Sequence, residues 1–88
     1  MNLDEIVPKE KIEEIFARNS IAFVERKFND QQKLIALGLL KVASGYRSGM
    51  SLTNALDELA LIIITDTFEQ KLTKKGKEYL YWYYQNKT

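Results

Sequence analysis

Residues 51–62, SLTNALDELALI, combine a helical pattern with a strand-forming one in a single short stretch. Apolar side chains recur every three or four positions from Leu52 to Ala60, which predicts a helix over 51–60 with Ser51 as its N-cap. The β-branched residues that follow favour a strand. A helix that leads directly into a strand therefore decides how the rest of the chain is arranged.

The residues after this stretch predict a β-hairpin and a last helix. We expect the hairpin over 61–72, with a turn at 66–69 that contains no glycine. Thr73 is expected to cap a helix over 74–85. Gly76, in the first turn of that helix, would let it approach a neighbouring backbone closely.

The residues before 51–62 predict two more helices. The first spans 8–27 and begins at Pro8, because a missing N–H costs nothing at a helix start. Asn19 and Ser20 are residues that can end a helix or cap a new one. If the helix breaks there, residues 21–24 would form a short strand. We favour the continuous helix.

The second of these helices is expected over 30–44. Asp30 is its predicted N-cap and Gly45 its left-handed end. Its side chains are apolar on nearly all sides, which is typical of a central buried helix. The chain is thus expected to form one mainly α domain over 1–88 with a small β-hairpin.

Composition excludes most catalytic chemistry. The 88 residues contain no cysteine and no histidine, and 45% are hydrophobic. The common metal ligands and the commonest general base are therefore missing, so we expect no enzyme, no metal site and no cofactor. Apolar runs are too short to cross a bilayer, and the start lacks the features of a signal peptide. A cytoplasmic protein without a membrane partner is the expectation.

The net charge of +1 conceals an uneven distribution. Residues 31–56 carry three basic and no acidic side chains, and residues 71–88 carry five lysines and one glutamate. Between them, residues 57–70 carry four acidic side chains and no basic one. If the two basic blocks fold onto one side of the protein, they would attract a polyanion such as DNA. The alternative is that blocks this small are ordinary solvated surfaces with no ligand.

Two runs resemble the winged helix-turn-helix family. Residues 51–62 are similar to the third helix of such domains, which ends in an "(A/L)-L-x-x-L-x-L-I" pattern and leads into the wing. Residues 71–80, KLTKKGKEYL, are similar to the "L-T-x-x-G-x-x-x-L" pattern that closes the wing in many bacterial and archaeal regulators. The resemblance covers roughly residues 30–85 and implies the order helix-helix-helix-strand-strand-helix.

This resemblance implies a small regulator that binds double-stranded DNA through the 51–60 helix and the wing. We expect bases to be read by side chains near the start of that helix, and phosphates to be held by the connection before it and the lysines around the wing. The candidates are Arg47, Ser48, Ser51, Thr53, Asn54, Lys71, Lys74 and Lys75. Arg47 is favoured among them because no acidic residue lies within nine positions on either side. The alternative is a protein-interaction module or inhibitor that does not bind DNA, which the acidic block at 57–70 suggests.

The last helix carries an aromatic run, YLYWYY at residues 79–84. Leu80 and Tyr84 are expected to form its inner seam, at i and i+4. Six consecutive apolar or aromatic side chains cannot all face one core, so we expect some of them to contact another chain. A homodimer is the simplest arrangement, with an interface at Tyr79, Tyr81, Trp82 and Tyr83. Packing of Tyr81 and Trp82 on the domain's own surface is the alternative.

Overall fold

The computed structural model describes residues 2–19, 27–46 and 49–85 of the chain. Within these residues the protein is mainly helical, with one two-stranded antiparallel hairpin before the last helix, which confirms the predicted class. The elements are α1 (Leu3–Ile6), α2 (Lys9–Arg18), α3 (Phe28–Ala43), α4 (Met50–Glu58), β1 (Ile62–Ile64), β2 (Gln70–Leu72) and α5 (Lys74–Gln85).

The short helix α1 was not predicted. The Asn2 side chain accepts a hydrogen bond from the Asp4 N–H at 3.0 Å, and the Glu5 carboxylate accepts one from the Asn2 N–H at 3.4 Å. This reciprocal pair is a capping box, which satisfies N–H groups that the first turn cannot pair within the helix. Leu3 is thereby directed into the core.

The helix predicted over 8–27 is not continuous. Pro8 is the N-cap of α2, but the helix ends at Arg18, and Asn19 is its C-cap. The Ile15 carbonyl accepts two hydrogen bonds from this residue, one from the Asn19 backbone N–H at 3.1 Å and one from the Asn19 side-chain amide at 2.9 Å. Residues 20–26, which include the alternative strand, lie outside the described residues.

The central helix α3 begins two residues before the predicted start. Lys27 is its N-cap, and Asp30 lies in its first turn instead of capping it. Gly45 adopts φ +87° as predicted, and its N–H donates to the Val42 carbonyl at 3.1 Å. The Tyr46 N–H donates to the Lys41 carbonyl at 2.8 Å, which completes a Schellman motif.

The face of α3 that points into the core is lined by Ile35, Ala36, Gly38, Leu39 and Val42. Leu37 and Leu40, in contrast, each leave 42% of their surface exposed. The expectation that this helix is buried on nearly all sides is therefore wrong for one side.

Helix α4 is capped by Gly49 and not by Ser51. Its end is a second Schellman motif: the Ala60 N–H donates to the Asp57 carbonyl at 2.9 Å, and the Leu61 N–H to the Leu56 carbonyl at 3.0 Å. Ala60 takes φ +62° there, in the left-handed region where glycine is usual. The predicted helix over 51–60 is thus shorter at its end, and Ala60 is exposed instead of lining the buried stripe.

The hairpin pairs Ile62 with Leu72, Ile63 with Lys71, and Ile64 with Gln70. Ile62 is buried in the core, and Leu72 packs against the core. Because side chains alternate along a strand, Lys71 and Ile63 face away from the core, and both are exposed.

The start of α5 is the tightest backbone contact around a glycine in the structure. Thr73 caps the helix as predicted, since its hydroxyl accepts from the Gly76 N–H at 3.0 Å. A Cβ atom on Gly76 would lie 2.0 Å from the Leu61 carbonyl oxygen. The close approach expected of this glycine is therefore present, and the neighbouring backbone belongs to the residue before β1.

The aromatic run faces the core through different residues from those predicted. Tyr79 and Tyr83 are buried, whereas Tyr84 is 42% exposed and Leu80 is half-buried, so the predicted seam of Leu80 and Tyr84 is wrong. Burial raises the pKa of the Tyr79 hydroxyl above its usual range, and the nearby Tyr83 and Asp4 act in the same direction. Helical spacing from Gly76 determines this face, because Gly76, Tyr79 and Tyr83 follow at intervals of three and four.

The same burial contradicts half of the predicted dimer interface. Tyr79 cannot meet a second chain, because the core of its own chain covers it, and Tyr83 reaches the surface only as part of the wall of a groove. Trp82 is half-buried and packs against that core, and Tyr81 is 56% exposed with its ring edge-to-face against Trp82 at 5.1 Å. Of the four residues, Tyr81 is the most exposed.

Replacing Gly76 by alanine is expected to destabilise the protein by about 2–3 kcal/mol, because the added methyl group meets the Leu61 backbone, which cannot move without shifting the hairpin. Gly38→Ala is the matched control, since its Cβ would lie 2.9 Å from the movable end of Leu52. Urea unfolding of both variants measures the difference. Equal losses in the two variants would contradict a special role for the contact at Gly76.

Candidate nucleic-acid interface

The start of α4 presents neutral polar side chains to solvent. Ser51 and Asn54 are exposed, and they lie three positions apart on one face of the helix. The first turn contains no acidic residue, and Gly49 provides no side-chain cap. Backbone N–H groups of a first turn point out of the helix and carry partial positive charge. This end of α4 therefore offers hydrogen-bond donors and acceptors without a repelling charge.

Thr53 does not belong to this surface, contrary to the prediction. Its relative exposure is 8%, and its hydroxyl accepts a hydrogen bond from the Gln70 side-chain amide at 3.2 Å. The bond joins the first half of α4 to the first residue of β2. Thr53 consequently fixes the hairpin against the helix instead of facing outward.

This bond also shows where the hairpin tip lies. The chain reverses after α4, and β1 returns along it, so that Gln70 and its partner Ile64 stand level with Thr53. The bond therefore places the first residue of β2, next to the loop at residues 65–69, against the first half of α4.

The hairpin tip is acidic and apolar. Asp66, Phe68 and Glu69 are exposed there, with 72% of Phe68 accessible. The Thr65 N–H donates to the Glu69 carbonyl at 2.9 Å, and the Phe68 N–H to the Thr65 carbonyl at 2.9 Å, which holds the loop closed. Phe68 takes φ +63°, a conformation that costs a non-glycine residue about 1 kcal/mol.

The three candidate lysines do not converge. Lys71 faces outward from the hairpin, and Lys74 is exposed at the start of α5. The Lys75 ammonium donates to the Leu59 carbonyl at 3.1 Å, at the C-terminal end of α4. That end lies about 13 Å from the helix start, at 1.5 Å per residue. Lys75, which was predicted to contact phosphate beside the wing, therefore makes its hydrogen bond within the chain, at the end of α4 opposite to the helix start.

The acidic block is partly neutralised within the chain. Glu58 forms an ion pair with Arg18, and its other oxygen accepts from the Asn19 amide at 3.4 Å. These contacts join the ends of α2 and α4. Asp57 remains exposed on the last turn of α4. Arg47 and Ser48, the favoured phosphate contacts, lie outside the described residues.

In the described part of the chain, no group of three or more acidic, histidine or cysteine side chains is placed to hold a metal ion. None of the described helices is long and apolar enough to span a bilayer. No protein-family model, curated protein or solved structure matches this chain.

Sequence reasoning missed two features of this surface. The bond between Thr53 and Gln70 had no signal in the sequence, because it joins positions 17 apart whose register depends on the hairpin. The position of Lys75 did have a signal in the sequence. Gly76 was expected to approach another part of the backbone closely, and Lys75, the residue before it, must then lie near that backbone as well.

Replacing Lys75 by methionine is expected to destabilise the protein by about 0.5–1 kcal/mol, because an ammonium group that serves the last carbonyls of α4 is lost while the aliphatic stem remains. Lys74→Met removes the same charge from an exposed neighbour and should change stability by less than about 0.3 kcal/mol. Thermal unfolding of the two variants at equal ionic strength tests this. A loss of the same size for Lys74→Met would contradict the capping role.

Proposed function

We propose that this protein is a winged-helix DNA-binding protein, a transcription regulator in which α4 enters a groove of duplex DNA and the hairpin is the wing. The order of α2, α3, α4, hairpin and α5 is the order that such domains use. The observation that carries the proposal is the start of α4, where Ser51 and Asn54 are exposed, the first turn has no acidic residue and no side chain caps the helix. The N-terminal residues of a recognition helix are those that reach base edges.

Asn54 is the residue proposed to read a base. Its amide can donate and accept simultaneously, which matches the N6 and N7 atoms of adenine in the major groove. Ser51, one turn earlier, can hydrogen-bond to either a base or a phosphate. Neither side chain makes a hydrogen bond to the described residues, so both are available to a ligand.

Phosphate contacts in this arrangement are few. Lys71 and Lys74 are exposed and make no hydrogen bond or ion pair with the described residues, whereas Lys75 is occupied by Leu59. With Arg47 from the sequence prediction, each chain offers about three cations to DNA. Counterion release then gives a logarithmic salt slope of about −3 per chain, which is shallow.

Asn54→Ala is expected to relax the preference at one base step by about 1–3 kcal/mol, because a bidentate contact is lost. Asn29→Ala is the matched control, since Asn29 is also exposed but lies at the opposite end of α3 from the start of α4. Fluorescence polarisation with competing duplexes at low salt measures the preference. Equal curves for the two variants, or no affinity of the parent protein for any duplex, would refute the proposal.

A protein-binding role is the second candidate, and the hairpin tip favours it. Phe68 is 72% exposed in a conformation that favours glycine, between two exposed acidic residues, Asp66 and Glu69. An exposed aromatic ring at this cost in backbone energy suits a contact with another protein. Acidic side chains at the same place repel phosphates and attract a basic partner.

A charge substitution at the tip distinguishes the two candidates. In the DNA proposal the tip approaches phosphates, so Asp66→Asn with Glu69→Gln should strengthen duplex binding about three- to tenfold at low salt. Glu13→Gln with Glu14→Gln removes the same charge from α2 and serves as the control. Polarisation titrations compare the two. Equal gains would assign the effect to net charge alone, and no gain at the tip would contradict its role as a wing.

A further inference from the structure

The outward side of α3 carries a stripe that the described residues cover only in part. It consists of Asp30, Leu34, Leu37 and Lys41, at intervals of four, three and four. Leu37 is 42% exposed, Leu34 is half-buried, and the two charged residues are exposed. Intervals of this kind place the side chains along one seam, as in helices that pack in pairs. The seam has an apolar centre with opposite charges at its ends.

Leu37 stands between two open grooves. One, of about 270 Å³, is lined by Lys33, Leu37, Tyr83 and Tyr84, and the other, of about 280 Å³, by Asp30, Lys33, Leu34 and Leu37. A ridge flanked by grooves is the surface shape that accepts the ridges of a second helix. The shape and the spacing therefore both point to a helical partner.

We propose that α3 pairs with α3 of a second copy of this chain, antiparallel, about a two-fold axis that passes between residues 35 and 36. In this register Leu34 packs on the partner's Leu37, and Asp30 meets the partner's Lys41. Two-fold symmetry repeats each contact, so the pair contains two leucine contacts and two ion pairs. The stripe is therefore complementary to an antiparallel copy of itself.

Charge decides between this arrangement and its competitors. A parallel pair would set Asp30 against the partner's Asp30 and Lys41 against the partner's Lys41. An antiparallel pair centred on Leu37 would bring Lys33 opposite the partner's Lys41. Both alternatives place like charges together, which is unfavourable. The proposed register is the one that joins an apolar centre with complementary ends.

This interface is separate from the aromatic one predicted from the sequence. It uses α3 and the exposed edge of Tyr84, and it does not need Tyr79 or Tyr83, which are buried. It also uses none of the residues at the start of α4 or in the hairpin. The inference thus stands independently of the proposed DNA binding.

The expected association is weak, because α3 has 16 residues and a contact along about 24 Å is small for a protein interface. We expect a dissociation constant on the order of 10–100 µM. Sedimentation equilibrium over a concentration series should approach twice the 10.3 kDa of one chain. Sedimentation as a monomer up to about 1 mM would overturn the inference.

Leu37→Asp should abolish association, because it places a charge at the centre of the apolar seam. The control is Ile63→Asp on the outer face of the hairpin, where the parent side chain is 51% exposed, and it should associate like the parent. Circular dichroism establishes that both variants are folded. Association that survives Leu37→Asp but is lost in Tyr81→Asp would overturn the proposal in favour of the aromatic surface.

A charge exchange tests the register itself. D30K and K41D should each weaken self-association at least threefold, because each sets like charges opposite one another. An equimolar mixture of the two variants should associate at least as tightly as the parent, since every facing pair then joins opposite charges. Asp30 lies in the first turn of α3 and Lys41 in its last turn, so each substitution also weakens a favourable interaction with the helix dipole. This loss of helix stability is present in the single variants and in their mixture alike, so a difference in association between them reports on the pairing. A mixture no tighter than its components would overturn the proposed pairing.

Discussion

Three successive carbonyl groups after α4 hold the protein together. The Leu59 carbonyl accepts from the Lys75 ammonium at 3.1 Å, the Ala60 carbonyl from the Thr73 hydroxyl at 2.7 Å, and the Leu61 carbonyl from the Thr73 N–H at 3.1 Å. Carbonyls at a helix end have no partner within the helix, so leaving them unpaired near the core would be costly. Residues 73–76 satisfy all three from the start of α5.

This junction determines the position of α5, and the position of α5 determines which of its side chains are buried in the core. Gly76 must lie against the Leu61 carbonyl for the three bonds to form, and helical spacing then turns Tyr79 and Tyr83 inward. Ala60 also accepts a left-handed conformation here, which shows that the geometry of the turn outweighs a local cost of about 1 kcal/mol. The hairpin between the two helices is consequently held at both of its ends.

A feature of this fold could be predicted from the sequence where it depends on one residue or on its near neighbours in the chain. The Thr73 cap, the Gly76 approach and the left-handed Gly45 were predictable, because each follows from the conformational limits of a single residue. The end of α2 at Arg18 also had a local signal, Asn19 and Ser20, but the spacing of apolar residues on both sides of it favoured one continuous helix.

The candidate site shows the same division more sharply. That α4 begins near Ser51 and buries Ala55 and Leu56 followed from periodicity, but the burial of Thr53 did not. Thr53 is buried because Gln70 reaches it across the hairpin, and Lys75 is withdrawn because Leu59 lies beside Gly76. Net charge per segment could not reveal this, because it does not show which lysine makes a hydrogen bond within the chain.

The scarcity of cations beside α4 connects the two proposals. A single chain that offers about three positive charges to DNA gains little from counterion release, and its affinity at physiological salt would be low. A two-fold pair doubles the number of phosphate contacts, and the second half-site binds at the high effective concentration that the first one creates. Pairing through α3 would provide this with residues other than those at the start of α4. A chain of 88 residues with a net charge of +1 would then obtain its affinity for DNA from symmetry and not from a basic surface.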